Sequence, residues 1–196
     1  MTFALAGCTN TAPRSLSATF DGDVRLAGEA NEIYGQHHVI PLQAQETAAI
    51  THEGVVNATL EEVYTAWTTS EGLKSWLAPH AEIELRIGGL MRTNYNPDGR
   101  LGDEQTIENT ILSYEPMGML SIKVKRTPAG FPFPNANKSM WTNMYFEPAG
   151  PDQTLIRIVG LGFTSDEESQ RMRVFFNEGN AITLKQLQEH FAEPLN

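Results

Sequence analysis

Residues 69–79 read Thr-Ser-Glu-Gly-Leu-Lys-Ser-Trp-Leu-Ala-Pro, and they predict a short helix that ends abruptly. Ser70 is suited to cap its first turn, because a hydroxyl oxygen can accept a hydrogen bond from a backbone N–H there. Pro79 ends the helix, since proline disfavours the helical conformation in the residue before it. The apolar side of the helix consists of Leu73, Trp76 and Leu77.

A longer helix is predicted just before this stretch, and a strand before that helix. The small and β-branched run 48–56 is typical of a strand. Asn57 or Thr59 can cap the helix that follows, and Glu61 and Glu62 fall in its first turn, where the helix dipole favours acidic residues. Its apolar residues recur at helical spacing and are Leu60, Val63, Tyr64 and Trp67.

After Pro79 the apolar period becomes two, which predicts antiparallel strands joined by tight turns. Ile83, Leu85 and Ile87 alternate with charged residues, and Gly88-Gly89 then allows a bulge or a sharp bend. Further strands are expected at 91–95, 106–114, 120–124, 140–147 and 154–163.

The last segment predicts a long helix with one apolar face. Either Thr164 with Glu167 or Ser165 with Glu168 can form a capping box at its start. Apolar residues then recur at steps of three to five, and Gly179 is expected to mark a kink or a close approach. The predicted order is one strand, two helices, about six strands and one long helix. This order indicates an α+β domain over 47–196 whose sheet curves around the last helix and leaves space beside it.

The 69–79 stretch, followed by Ile87-Gly88-Gly89, resembles the bacterial homologues of the activator of heat-shock-protein ATPase. Residues 56–67 and 179–191 are similar to the family's strand-to-helix entry and closing helix. These proteins belong to the SRPBCC superfamily, which has the helix-grip fold of START and Bet v allergen proteins. Asn180 stands where the closing helix commonly has a Trp after its Gly.

The resemblance implies a cavity more than an activity. Members bind hydrophobic small molecules or lipids, some superfamily relatives catalyse cyclisation or hydrolysis, and the eukaryotic namesake stimulates a chaperone. We therefore expect this domain to bind a hydrophobic small molecule or lipid between the sheet and the C-terminal helix. No catalytic residue is carried over, and no cofactor is predicted.

Composition and charge narrow the classes of partner. The chain has 196 residues with 14 Lys and Arg against 24 Asp and Glu, a formal charge of −10, which makes nucleic acid a poor partner. A single Cys excludes an intramolecular disulfide and a multi-Cys metal site. His52, His80 and His190 share no ligand spacing, so no metal site is predicted.

The amino-terminal segment 1–8 ends in Leu5-Ala6-Gly7-Cys8, which resembles the lipobox of bacterial lipoproteins. A complete signal has a basic start and about 7 to 15 apolar residues. This leaves two interpretations: the true start lies upstream, or the match is accidental. The first implies a lipid anchor on Cys8 in the bacterial envelope and the second a cytoplasmic protein. Residues 9–46 read as a polar linker, or as an added strand or short helix.

Aromatic and Met side chains are the candidates for lining the cavity, because they are spread over the elements around it. In the strand 140–147, one face carries Met140, Met144 and Phe146, and the other carries Trp141 and Tyr145; we expect the first face to point at the long helix. Loop 127–138, with three Pro and two Phe, is expected to form a lid or contact surface. The predicted ligand-binding residues are Trp76, Tyr95, Met140, Met144, Phe146, Met172, Phe175 and Phe176.

Two other functions stay open at this point. A cyclase or hydrolase of aromatic or polyketide-like compounds would need a buried acid or base, for which Glu108, Tyr114, Tyr145 and His80 are the candidates. A cochaperone-like interaction module is the other alternative, and an envelope location would separate it from a cytosolic chaperone.

The lipid anchor is tested by changing Cys8 to Ala. Expressed with its true upstream signal, the wild-type protein should fractionate with membranes, because Cys8 would carry the lipid. Cys8→Ala should remain in the soluble fraction. Identical fractionation of the two proteins would contradict the anchor.

Overall fold

The computed structural model describes residues 49–192, which form seven strands and three α-helices in the predicted order. The predictions for 1–46, including Cys8, lie outside the described residues. Within the described part of the chain, no helix has the length and apolar character needed to span a membrane. The elements are β1 (Ile50–Val56), α1 (Leu60–Thr68), α2 (Ser70–Trp76), β2 (His80–Ile83), β3 (Leu90–Asn94), β4 (Ile107–Glu115), β5 (Met119–Arg126), a 3₁₀ turn (Ala136–Lys138), β6 (Trp141–Gly150), β7 (Gln153–Leu161) and α3 (Glu167–His190).

The strands form one antiparallel sheet in the order β1-β7-β6-β5-β4-β3-β2, curled into a half-barrel. The predicted α+β helix-grip fold is confirmed. β1 comes first in the chain but pairs with β7, from Ile50 opposite Gly160 to Val56 opposite Thr154. The β4–β5 pairing shifts register between Glu108 and Asn109. Such irregularities bend a strand and increase its twist, which contributes to the curl.

The two short helices share one residue at their junction. Thr69 is the C-cap of α1 and the N-cap of α2, and its Oγ1 accepts a hydrogen bond of 3.0 Å from the backbone N–H of Gly72. Ser70, predicted as this cap, is instead the first helical residue. Its Oγ accepts from the backbone N–H of Ile83 at 3.0 Å and so attaches α2 to β2. At the start of α1, Thr59 is the cap.

Gly72 sets how closely the two short helices pack. A Cβ at this position would lie 2.4 Å from the carbonyl oxygen of Thr65 and 2.7 Å from the Cα of Ala66. Both atoms belong to the backbone of α1, so neither can move aside cheaply. Glycine is therefore required on steric grounds in the Glu-Gly-Leu part of the 69–79 stretch, because only a residue without a side chain lets α2 fold back on α1.

The connection from β2 to β3 differs from the predicted strand. β2 ends at Ile83, and the following residues form a tight bend in which the backbone N–H of Glu84 donates to the carbonyl of Leu90 at 2.9 Å. Gly88 has a φ of 76°, which favours glycine. Ile87, predicted as a strand residue, is 71% exposed. Gly88 and Gly89 form the bend. Leu85 and Ile87 alternate as strand residues would, but they lie between β2 and β3 and outside both strands.

Helix α3 also differs from expectation at two positions. Its N-cap is Asp166, whose carboxylate accepts from the backbone N–H of Ser169 at 2.9 Å, so neither predicted capping box forms. Hydrogen bonds from Thr164 and from that N–H lower the pKa of Asp166. Gly179 is not a close approach, because a Cβ there would meet nothing within 4 Å. The close approach of α3 to the sheet is at Gly54 of β1, against Leu184 and Gln188.

The core consists of two separate clusters. The larger one joins α1, α2 and the last turns of α3 to the sheet and includes Val63, Leu120 and Leu187. The smaller one lies around the first turns of α3 and includes Phe163 and Met172. This division leaves the middle of α3 between two packed regions.

Two glycine substitutions test the packing of the short helices. Gly72→Ala should lower the free energy of unfolding by more than about 2 kcal/mol, because its methyl group overlaps the α1 backbone. Gly179→Ala is the matched control, since it is also helical but faces open space. It should raise the free energy of unfolding by about 0.5 to 1 kcal/mol. Urea denaturation measures both, and equal effects of the two changes would refute the close contact at Gly72.

Candidate functional site

A cavity of about 250 Å³ lies between the concave face of the sheet and the middle of α3. Strands β3 to β7 form its floor, α3 covers it, and Trp67 and Leu77 border it from the short helices. Most of its lining is apolar, which is typical of sites for hydrophobic ligands. The lining residues are Trp67, Leu77, Met91, Thr93, Tyr95, Ile107, Asn109, Ile122, Val124, Thr127, Pro128, Phe131, Met140, Thr142, Met144, Ile158, Phe175, Phe176 and Asn180.

Five of the eight predicted ligand-binding residues line this cavity, and three lie elsewhere. Phe146 is buried against Tyr64, with the ring centroids 5.4 Å apart. Met172 is fully buried in the smaller core cluster. The third, Trp76, is considered below. The five residues that the structure brings together are Tyr95, Met140, Met144, Phe175 and Phe176.

Strand β6 presents the predicted face to the cavity. Thr142 and Met144 of this strand line it, as does Met140, which immediately precedes the strand. Tyr145 points to the opposite side of the sheet, where the guanidinium of Arg157 lies 4.8 Å from its ring centroid. Because successive side chains of a strand alternate, the apolar character of one set was sufficient to predict the inner face.

Trp76 is placed outside the cavity by its contact with α1. Its ring lies 4.8 Å from that of Trp67, edge to face, and its Nε1 donates to the carbonyl of Ala66 at 3.1 Å. Trp67 is the one of the pair that lines the cavity. Trp76 therefore supports the site by holding Trp67, and only the packing of the two helices shows which indole is nearer to the cavity.

Loop 127–138 contacts α3 and closes one side of the cavity. Thr127, Pro128 and Phe131 belong to the lining, and the ring of Phe131 lies 6.0 Å from that of Phe175. The carboxylate of Glu168, on α3, accepts from the backbone N–H groups of Asn135 and Ala136. These two hydrogen bonds lower the pKa of Glu168. The loop is thus held to the helix by an aromatic cluster and a charged anchor.

Tyr95 lies at the rim of the cavity with about half of its surface exposed. Desolvation of its hydroxyl raises the pKa of Tyr95, and a hydrogen bond with Thr93 opposes this in part. The phenol is therefore neutral at physiological pH. It is the single ionisable side chain among the described residues that line the cavity.

The four candidates for acid–base chemistry do not line this cavity. Glu108 lies 3.5 Å from Nε of Arg92 and 4.0 Å from Nη1 of Arg126. Tyr114 packs at the edge of the larger core cluster, Tyr145 faces the opposite side of the sheet, and His80 contacts the carbonyl of Pro97. Among residues 49–192, no group of three or more His, Cys, Asp or Glu is arranged to hold a metal ion.

Most of the sheet residues that line the cavity were not predicted from the sequence. The alternating pattern of a strand does not show which of its inner residues border empty space. Asn180 was noticed only as a departure from the pattern of the resembling family. Its Nδ2 is buried and has no hydrogen-bond partner among the described residues, which marks it in the structure. The sheet residues missed include Met91, Thr93, Ile107, Asn109, Ile122, Val124, Thr142 and Ile158.

A family model described as Activator of Hsp90 ATPase homolog 1-like protein matches residues 57–192. This range runs from the start of α1 to the end of α3. The chain belongs to this family. Comparison with curated protein sequences gave no match.

Several solved structures have the same fold. The Aha1 dimer from Colwellia psychrerythraea has a TM-score of 0.55 and 18% identity, covering 74% of this chain and 96% of that one. A Bacillus halodurans protein has a TM-score of 0.56 and 18% identity, covering 76% and 99%. CalU16 from Micromonospora echinospora has a TM-score of 0.52 and 22% identity, covering 74% and 76%. At these identities the likeness of the chain to these structures concerns the fold alone.

Changing Trp76 to Ala tests its supporting role. Because Trp76 is only partly buried, the substitution should lower the free energy of unfolding by about 2 to 3 kcal/mol, less than the ~3 to 5 kcal/mol typical of a fully buried Trp. Urea denaturation followed by circular dichroism measures this loss. An unchanged midpoint would show that the indole does not hold Trp67.

Proposed function

We propose that this domain binds a small hydrophobic molecule in the cavity between its sheet and α3. The observation that carries this proposal is the apolar cavity itself, which opens among Met, Phe and Ile side chains in the interior of the fold. The family's fold is compatible with hydrophobic ligand binding. Protein interiors are closely packed and contain few voids larger than a water molecule, so a space of this size is consistent with a ligand site.

The size of the cavity favours a compact ligand. Ligand pockets commonly measure about 300 to 1,000 Å³, and this one, at about 250 Å³, lies just below that range. A molecule with one to three rings suits this volume better than a lipid with two acyl chains. The lining also contains Met91, Met140 and Met144, whose flexible side chains can adapt to ligands of different shape.

We also propose that the domain is held at a bacterial envelope membrane through Cys8. The support is the Leu5-Ala6-Gly7-Cys8 pattern and the polar segment 9–46 that follows it. A tethered binding domain can hold or carry a poorly soluble compound near the membrane. The fractionation of Cys8→Ala tests this part independently of the cavity.

Filling the cavity from the strand β6 tests ligand binding. In Met144→Trp the indole should occupy the space and weaken binding of the neutral probe N-phenyl-1-naphthylamine more than about tenfold. Thr142→Trp, at a less buried lining position, should act in the same direction and guards against misfolding of the first variant. Probe fluorescence measures binding, and thermal melting shows whether each variant is folded.

Tyr145→Ala is the control, because Tyr145 lies on the same strand but faces away from the cavity. It should leave probe binding nearly unchanged. If Tyr145→Ala abolished binding while the folded Met144→Trp and Thr142→Trp retained it, the site would lie on the other face. If none of the three affected binding, the proposed cavity would not be the site.

A further inference from the structure

The cavity meets solvent at one end of the sheet. Among the described residues that line it, only Tyr95 and Phe175 have about half of their surface exposed, 52% and 48%. Tyr95 directly follows β3, and Phe175 lies on α3. The loop that follows β5 lines the same space with Thr127, Pro128 and Phe131. Since residues that border both cavity and solvent mark an opening, the opening lies at the end of the sheet where β3 and β5 finish.

The loop after β5 spans this end of the sheet between two attachments. On the sheet side, the backbone N–H of Ala129 donates to the carbonyl of Glu104, in the loop between β3 and β4, at 2.8 Å. On the helix side, the carboxylate of Glu168 accepts from the backbone N–H groups of Asn135 and Ala136 at 2.9 and 3.2 Å. The loop therefore reaches from the sheet to the first turn of α3 along one side of the opening.

Between these attachments the loop contacts α3 through aromatic rings. The ring centroids of Phe131 and Phe133 lie 6.0 and 5.7 Å from that of Phe175. Phe131 ends a tight turn in which its N–H donates to the carbonyl of Pro128 and Gly130 has a φ of 77°. A Cβ on Gly130 would meet nothing within 4 Å, so the turn borders open space. Because contacts between pairs of rings are individually weak, the position of Phe131 against Phe175 depends on how firmly the loop is attached to α3.

We infer that loop 127–138 is a movable lid over the cavity and that Glu168 holds this lid closed. When the hydrogen bonds to Glu168 break, Phe131 and Phe175 separate, and a ligand enters or leaves between them. This inference rests on the proposed function and adds to it a control of ligand exchange. Opening and closing of such loops sets the rate of ligand exchange at many binding sites.

The position of Glu168 predicts an effect on rates and not on affinity. Glu168 is not among the residues that line the cavity, so its replacement changes no group that faces a bound molecule. Its carboxylate holds the lid in the free protein and in the ligand-bound protein alike. A change that weakens the closed lid equally in both states raises the association and dissociation rate constants by the same factor. Their ratio, the Kd, then stays the same.

Stopped-flow fluorescence with N-phenyl-1-naphthylamine tests this prediction on the full chain. In Glu168→Ala both rate constants should rise about 3- to 10-fold, because hydrogen bonds to a charged acceptor are lost, while the Kd stays within about twofold of wild type. Glu168→Gln keeps an acceptor oxygen without the charge and should give intermediate rate constants.

Glu167→Ala is the matched control. Glu167 is an exposed acidic residue in the same first turn of α3, and it forms no hydrogen bond with the loop in the part of the chain that the structure describes. Its substitution should leave both rate constants unchanged. Thermal melting shows whether each variant is folded.

Hydrogen exchange tests the attachment without a ligand. The backbone amides of Asn135 and Ala136 should be protected in the wild-type protein and in Glu167→Ala, since Glu168 accepts from both. They should exchange at least about threefold faster in Glu168→Ala. Equal exchange in the wild-type protein and in Glu168→Ala would mean that Glu168 does not hold the loop, and the inference would be wrong.

Two kinetic results would also overturn the inference while leaving the proposed function intact. Unchanged rate constants in a folded Glu168→Ala variant would mean that the ligand passes elsewhere. A rise in the dissociation rate constant alone, with a matching loss of affinity, would mean that Glu168 stabilises the bound state and not a lid. Failure of the wild-type protein to bind the probe would instead reject the proposed function, and this inference with it.

Discussion

The contact between α1 and α2 at Gly72 is the constraint on which the cavity depends. With no side chain at this position, the α2 backbone lies against the carbonyl of Thr65, and Thr69 serves both helices as a cap. The folded-back pair brings Trp67 and Leu77 to the same border of the cavity. A side chain at position 72 would separate the helices and move both residues. The position of the helix pair therefore depends on residue 72 being a glycine, which has no Cβ.

The space beside α3 exists because the helix is anchored at its two ends and not in its middle. Near its start, Glu168 accepts hydrogen bonds from the loop backbone, and Met172 is buried in the smaller core cluster. Near its end, Leu184 packs close to Gly54, and Gln188 donates to the carbonyl of Val55 at 2.9 Å. Between these anchors the helix spans the curled sheet without filling it. Phe175, Phe176 and Asn180 lie over the gap.

Two buried polar groups of residues around the cavity, Nε1 of Trp67 and Nδ2 of Asn180, have no hydrogen-bond partner among the described residues. Asn180, whose Nδ2 is one of the two, lies on the middle of α3. Trp67 turns its ring against Trp76, and it is the Nε1 of Trp76 that reaches a backbone carbonyl.

The predictions from the sequence that succeeded rest on spacing patterns among neighbouring residues. The change from helical to alternating spacing depends only on neighbouring residues, so the order of elements and the inner face of β6 could be read directly. The N-caps of α2 and α3 could not be predicted in this way, because several adjacent Thr, Ser and Asp residues are equally able to cap a helix. The alternation of Leu85 and Ile87 was misleading, since the bend at Gly88 separates these residues from the sheet.

By itself the sequence determined the family, the element order and the inner face of β6, because these depend on spacing along the chain. Only the tertiary structure decided which inward residues border the cavity. Phe146 and Met144 share one face of β6, yet Phe146 is covered by Tyr64 and Met144 borders the cavity. In the same way, helix packing places Trp67 at the cavity and Trp76 outside it. The space left open depends on the curl of the sheet and on the anchoring of α3, which arise from contacts between residues far apart in the chain.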